Sequence, residues 1–200
     1  MSAAVPSCWF NFHAVYDLAV REAPRGAVLV ELGSLWGKSA LYLAERAKAA
    51  NKDLEVYCID NFSEDFLAGS MEGQEQARHG SQFETFAHYV SRSGLCPDPL
   101  RVIYAKDTLE AADLFRTRRP WFVFFDSDHS YEYLIKELEA WVPLIRWGGV
   151  AAGHDYHDED EEFPGVVRAV WECFPVTLIE KHPEHCWLVR IPAKWRRQPR

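Results

Sequence analysis

No stretch of the chain stays apolar for anything near the ~20 residues that a membrane-crossing helix needs, so no such helix is expected. Cysteine is sparse: Cys8, Cys58, Cys96, Cys173 and Cys186 are an odd number with no C-x-x-C pair, which argues against a disulfide framework and a cysteine zinc site. Basic residues are outnumbered, 22 Lys and Arg against 30 Asp and Glu, for a net charge of -8. A general nucleic-acid binder needs the opposite balance, so no nucleic-acid or membrane partner is expected. The opening MSAAVPSCWFNF lacks a basic segment followed by a long apolar core, so no signal peptide is expected and the reduced thiols fit a cytoplasmic protein. Internal repeats and linker-like stretches are also missing, so residues 1–200 are read as a single domain. Self-association is left open.

What is present is an alternation of short apolar runs and helical patterns. Residues 9–23 place Phe12, Val15, Tyr16 and Ala19 at helical spacing, ended by Pro24 and Gly26. Strands are expected at 27–32, 54–59, 100–105, 121–125 and 150–153, separated by helices at 38–50, 81–93, 108–118 and 130–146. Pro143 is expected to kink the last of these. A helix at 163–174 and two strands, 176–180 and 186–191, joined as a hairpin by KHPEH, close the domain. This succession predicts an α/β fold: a seven-stranded, mainly parallel sheet with one antiparallel strand near an edge and helices on both faces. Residues 61–80, polar and interrupted by Gly69, Gly73 and Gly80, read as a lid or substrate loop. The acidic run from Asp158 to Glu162 reads as a solvated face, and the basic tail AKWRRQPR as frayed.

The chemistry concentrates at WFVFFDSDHSY. Five apolar residues form a strand buried on both faces, and Asp126, Asp128 and His129 follow where it leaves the core. Helix capping accounts for Asp128, but not for an acid on the strand end with a histidine three residues later. The first strand-to-helix turn reads Glu31-Leu32-Gly33-Ser34-Leu35-Trp36-Gly37-Lys38-Ser39. Its glycines would let a ligand approach backbone N–H groups at a helix start. A P-loop is excluded, because three residues rather than four separate Gly33 from Gly37-Lys38-Ser39, and Leu35 stands where a dinucleotide fingerprint needs glycine. Glu31 would repel a pyrophosphate but suits an ammonium or sulfonium. Asp60 ends the second strand, where acids in nucleotide folds bind both ribose hydroxyls. Asp107 either reaches the adenine or caps the helix from Thr108. A nucleoside with a cation and no phosphate meets these demands: S-adenosylmethionine.

The motifs E-L-G-S-L-W-G-K-S, C-I-D, F-F-D-S-D-H-S-Y and W-G-G-V-A-A-G-H-D-Y, in this order, resemble class I S-adenosylmethionine-dependent methyltransferases. The likeness is to the small-molecule O-methyltransferase branch that includes macrolide-sugar and catechol-type enzymes, and it spans residues 27–191. The resemblance implies a Rossmann-like fold. It implies that the glycine loop and Glu31 hold the methionine end and Asp60 the ribose, giving a cofactor set of Glu31, Gly33, Ser34, Trp36, Gly37, Ser39, Asp60, Asn61, Asp107 and Asp126. It also implies a divalent cation on Asp126, His154 and Asp155, with His129 as the base. His154 departs from the carboxylate or Asp-Asn pair of those relatives and shifts the metal preference from magnesium toward manganese, iron, nickel or zinc. Two plainer readings stand beside these: His154 and Asp155 hydrogen-bond their loop, and His129 caps a helix or orients Asp126. The expected substrate is a hydroxylated small molecule. Phe62, Phe66, Met71 and His79 would shape its pocket, while Trp9, Phe10 and Phe12 read as helix packing. The rival activities are metal-independent or N-directed methyl transfer, and an inactive S-adenosylmethionine-binding module.

Overall fold

The computed structural model describes residue 5 and residues 9–63, 78–105, 107–157 and 162–193. Most of the expected lid, with Phe66 and Met71, lies outside the described residues, as do most of the acidic run and the basic tail.

The elements in chain order are α1 (His13–Glu22), β1 (Val28–Leu32), α2 (Lys38–Ala49), β2 (Glu55–Asp60), α3 (Gln82–Ser93), β3 (Leu100–Tyr104), α4 (Thr108–Ala112), β4 (Phe122–Phe125), α5 (Tyr131–Trp141), β5 (Val150–Gly153), α6 (Pro164–Cys173), β6 (Ile179–His182) and β7 (Cys186–Arg190). The strands form one sheet in the order β3-β2-β1-β4-β5-β7-β6. The pairs from β3 through β5 are parallel, and β7 runs antiparallel to both β5 and β6. The single reversed strand therefore lies one place in from the edge, and the expected hairpin is present.

Alternation along each strand sends side chains to two apolar layers. Leu29, Val56, Phe122, Phe124 and Leu188 pack with α1, α2 and α3. Val30, Ile59, Val123, Phe125 and Val189 pack with α4, α5 and α6. Both faces are covered, which is why β1, β4 and β5 are buried at every position.

Local chemistry sets the boundaries. Ser81 and Glu84 form a reciprocal capping box at the start of α3. Pro143 ends α5 instead of kinking it: with no N–H, and with its ring against the preceding turn, the α-helix stops at Trp141 and a 3-10 turn covers 142–144. The helix expected over 108–118 is only five residues of α4 followed by a 3-10 turn at 113–115. The tighter turn leaves Phe115 buried against Tyr57 and Trp141, each with a ring-centroid separation of 5.1 Å. The first of the two closing strands begins three residues late, after a 3-10 turn at 176–178. Among the described residues no disulfide forms between Cys58, Cys96, Cys173 and Cys186. Among the described residues no helix is long and apolar enough to cross a membrane.

Candidate active site

The carboxyl ends of the parallel strands share one edge of the sheet, and the acids marked by the sequence sit there. Asp60 ends β2, Asp126 follows β4, and His154 and Asp155 follow β5. Neighbouring β4 and β5 bring the last three together: Asp126, His154 and Asp155 each offer a ligand atom, all within 4.8 Å of one another. Asp155 has a positive φ of 57°, a conformation that an aspartate tolerates better than most residues. His154 Nδ1 lies 3.2 Å from Asp155 Oδ2 and 3.9 Å from Asp126 Oδ1.

His129 completes the group. Its Nε2 lies 2.8 Å from Asp155 Oδ2 and 3.8 Å from Asp126 Oδ1. The shorter contact has ion-pair distance without hydrogen-bond geometry, and Nε2 of both His129 and His154 is buried with no hydrogen-bond partner. Ring contacts hold both imidazoles, with Phe163 at 4.6 Å from His129 and Phe12 at 5.0 Å from His154. Burial pushes the His129 pKa down, but Asp126 and Asp155 outweigh it and hold the imidazole at about 10. Burial raises Asp126 despite both histidines. Asp155 goes the other way: burial opposes, yet His129 and His154 pull it well below the usual carboxylate range. The two carboxylates thus face two imidazoles, and at the start of α5 the N-cap Ser130 has no side-chain cap hydrogen bond, while Asp128 Oδ1 accepts the Ser130 amide at 2.7 Å.

The glycine loop lies beside this group. Gly33 has φ 86°, and a Cβ there would run into the Asp126 carbonyl oxygen, so glycine lets the loop press directly onto the end of β4. Gly37, in the left-handed conformation, starts α2, and a Cβ would meet the Phe86 ring of α3. Both glycines thus serve packing around the loop. Trp36 is buried in the core, and Ser34 and Ser39 are also buried. Glu31 is fully buried beneath the loop, where Oε2 accepts the Tyr16 hydroxyl at 2.5 Å and Oε1 has no partner. Burial drives its pKa up to about 7 against the opposing hydroxyls of Tyr16 and Ser34. Asp60 is buried as well and binds backbone: Oδ2 accepts the amides of Ser34 at 2.6 Å and Leu35 at 3.0 Å, and Oδ1 that of Phe62 at 2.6 Å. Burial raises its pKa, opposed by those amides. The Asn61 side chain accepts the Ser63 amide. Asp107 caps α4 through the Leu109 amide at 2.7 Å and also accepts the Tyr133 hydroxyl at 2.7 Å.

Of the proposed pocket aromatics, Phe62 is buried against Phe86, His79 stacks on His88, and Phe10 and Phe12 pack on α1 as expected. A cleft of about 580 Å³ opens beside His129, lined by Tyr131, Glu162, Phe163, Gly165 and Arg168. The sequence reading missed Tyr16, Phe163 and Glu137, the last of which accepts the Ser127 hydroxyl at 2.7 Å. A signal for Glu137 existed: it shares the helical stripe Leu134, Leu138 and Trp141, and an acid on an apolar stripe marks a buried polar contact.

A family model described as a methyltransferase domain matches residues 30–156, more than half of the chain. No curated protein sequence matches. Among solved structures, the fold is similar to CalS11, a TDP-rhamnose 3'-O-methyltransferase of calicheamicin biosynthesis, with TM-score 0.60, 16% identity, and coverage of 89% of this chain and 76% of that one. It is similar to an O-methyltransferase from Bacillus cereus in complex with SAH, with TM-score 0.59, 15% identity, and coverage of 94% and 84%. It is also similar to an rRNA methylase from Streptococcus thermophilus, with TM-score 0.56, 14% identity, and coverage of 90% and 95%. Sheet order, strand-end acids and the matched domain agree, and the chain belongs to the methyltransferase-domain family.

Proposed function

We propose that this protein transfers a methyl group from S-adenosylmethionine to a hydroxyl of a small molecule, with His129 as general base beside a divalent cation held by Asp126, His154 and Asp155. The observation that carries the reading is the convergence of those three ligand atoms within 4.8 Å, with His129 on the same group. The donor set fits a cation. Two carboxylates and an imidazole suit a divalent ion of the manganese-to-zinc series, and His154 Nε2 is buried without a hydrogen-bond partner among the described residues. A cation bound there would make a substrate hydroxyl more acidic and disfavour the imidazolium form of His129.

The chain's own residues do the rest. His129, Tyr131 and Phe163 line the cleft, and in this reading His129 takes the hydroxyl proton of an acceptor held there. Phe163 restrains the ring from the side. Asp155 orients Nε2, and the Gly33 loop presses the cofactor side of the site against Asp126. The net charge of -8 favours a small acceptor over a polyanionic RNA.

The test is formation of S-adenosylhomocysteine from the methyl donor across a panel of hydroxylated sugars and phenols, with native, chelated and metal-restored protein. Chelation should abolish turnover and a divalent ion should restore it. His129→Ala should lower turnover by roughly 10²–10⁴ while S-adenosylhomocysteine affinity stays within a few-fold. Full turnover of chelated protein shown by elemental analysis to be metal-free removes the cation from the proposal. Turnover of the His129 variant within a few-fold of the parent removes the base. Cofactor binding with no product on any acceptor would favour an inactive binding module.

A further inference from the structure

The crevice at the strand ends has two walls that follow strands not paired directly with each other. One is the segment after β3, beginning at Asp107; the other is the loop after β4, beginning at Asp126. In the strand order β3-β2-β1-β4 these ends are separated by two intervening strands, so no direct ladder hydrogen bond joins the segments that follow them. A single side chain of α5 reaches both. Glu137 Oε1 accepts the Ser127 hydroxyl from the β4 wall at 2.7 Å, and it accepts the Thr108 hydroxyl from the β3 wall. One turn earlier on the same helix face, Tyr133 donates to Asp107 at 2.7 Å and lies 3.0 Å from the Thr108 hydroxyl. One turn later, the Trp141 indole donates to the Thr108 carbonyl at 3.1 Å.

We propose that Glu137 is a positioning residue that bolts the two crevice walls at a fixed separation, through the hydroxyls of Ser127 and Thr108. Ser127 directly follows Asp126, and Asp107 precedes Thr108, so the bolt fixes both acids at the mouth of the crevice. That these walls enclose a methyl donor rests on the function proposed above.

The placement is hard to explain as ordinary packing. Glu137 is fully buried, and its Oε2 has no partner. An apolar residue would fill that space without an orphaned oxygen, so what the acid adds is a shared acceptor. The geometry makes it an acceptor of two hydroxyls, from Thr108 and Ser127, and burial moves its pKa up to about 7 against them.

Two measurements separate this inference from the proposed activity. The first is amide hydrogen exchange on cofactor-free protein. Glu137→Met should speed exchange in both walls, around Leu109 and around Ser130, while β1 and β5 stay protected; Glu137→Gln, which keeps the acceptor oxygen, should match the parent. The second is calorimetry with S-adenosylhomocysteine. Glu137→Met should weaken binding about tenfold and Glu137→Gln should restore it to within about threefold. Adding Ser127→Ala to Glu137→Met should change affinity little further, because the bond is already gone. If Glu137→Met does not fold, the Ser127→Ala, Thr108→Val pair removes both donors and should reproduce its effects. Parent-like exchange in both walls of the Met variant overturns the bolt, as does a Gln variant as loose as the Met variant. A parent that binds no S-adenosylhomocysteine, with exchange still changed in both walls, overturns the cofactor reading and leaves the bolt standing.

Discussion

Asp60 shows how one residue serves two tasks. Its place at the end of β2 was legible, since an acid follows an apolar run. Its partners were not: both oxygens accept backbone amides, from Ser34, Leu35 and Phe62, so the carboxylate holds the glycine loop in shape. A ribose at that strand end would meet an acid already fixed in orientation. Asp60→Ala therefore removes the loop's clamp together with any ligand contact. S-adenosylhomocysteine affinity should fall by an amount equivalent to about 2–3 kcal/mol, with a lower melting temperature. Unchanged affinity by calorimetry would take Asp60 out of the site. Gly33 makes a related point. Its presence in a strand-to-helix turn suggested room for a ligand, whereas the side a Cβ would occupy is filled by the Asp126 backbone.

At the scale of elements, α1 acts as a cover for Glu31. Its buried stripe of Val15, Tyr16 and Ala19 was readable from spacing alone. The hydroxyl of Tyr16 was not singled out, because a periodic pattern reports a buried face but not the group opposite it. β1 turns Glu31 toward that face, and the helix supplies a hydrogen bond from the Tyr16 hydroxyl. Tyr16→Phe should cost about 1–3 kcal/mol in chemical denaturation, since it strands a buried carboxyl oxygen. In a Glu31→Leu background the same change should cost much less, and equal costs in both backgrounds would show that the bond contributes nothing. The helices misjudged in length share a cause. Pro143 and the Phe115 turn convert α-helix to 3-10 where a ring must fit the core or an N–H is missing. Tertiary packing fixes the Phe115 turn, and no local pattern encodes it. The Asp126, His154 and Asp155 cluster was legible because strand ends in a parallel sheet must lie side by side. The stripe marks Glu137 as a buried acid, but its partners were hidden because they stand 10 residues away in the loop after β4 and 29 residues away at the start of α4.

For the whole molecule, the buried acids leave a signature in stability against pH. Glu137 has a folded pKa near 7 against an ordinary 4.5, with burial as the largest cause. The folded state therefore keeps a proton that the unfolded chain has released. Its contribution is fully present below about pH 4.5, declines as pH rises toward 7, and is flat beyond. The total decline is on the order of 3 kcal/mol. Glu31, also near 7, adds a decline of the same sign over the same window. Glu137→Gln cannot ionise, so it should remove one of the two contributions and leave the other. Melting temperatures of parent and variant, measured from pH 4.5 to 8, should diverge steadily up to pH 7 and then run parallel, with the variant the less pH-sensitive. The same variant should keep its crevice walls protected from exchange, since a glutamine still accepts both hydroxyls. A variant whose melting temperature tracks the parent across the whole range would mean that Glu137 ionises as easily in the folded protein as in the unfolded chain. The space between α5 and the Thr108 and Ser127 hydroxyls would then be open to water.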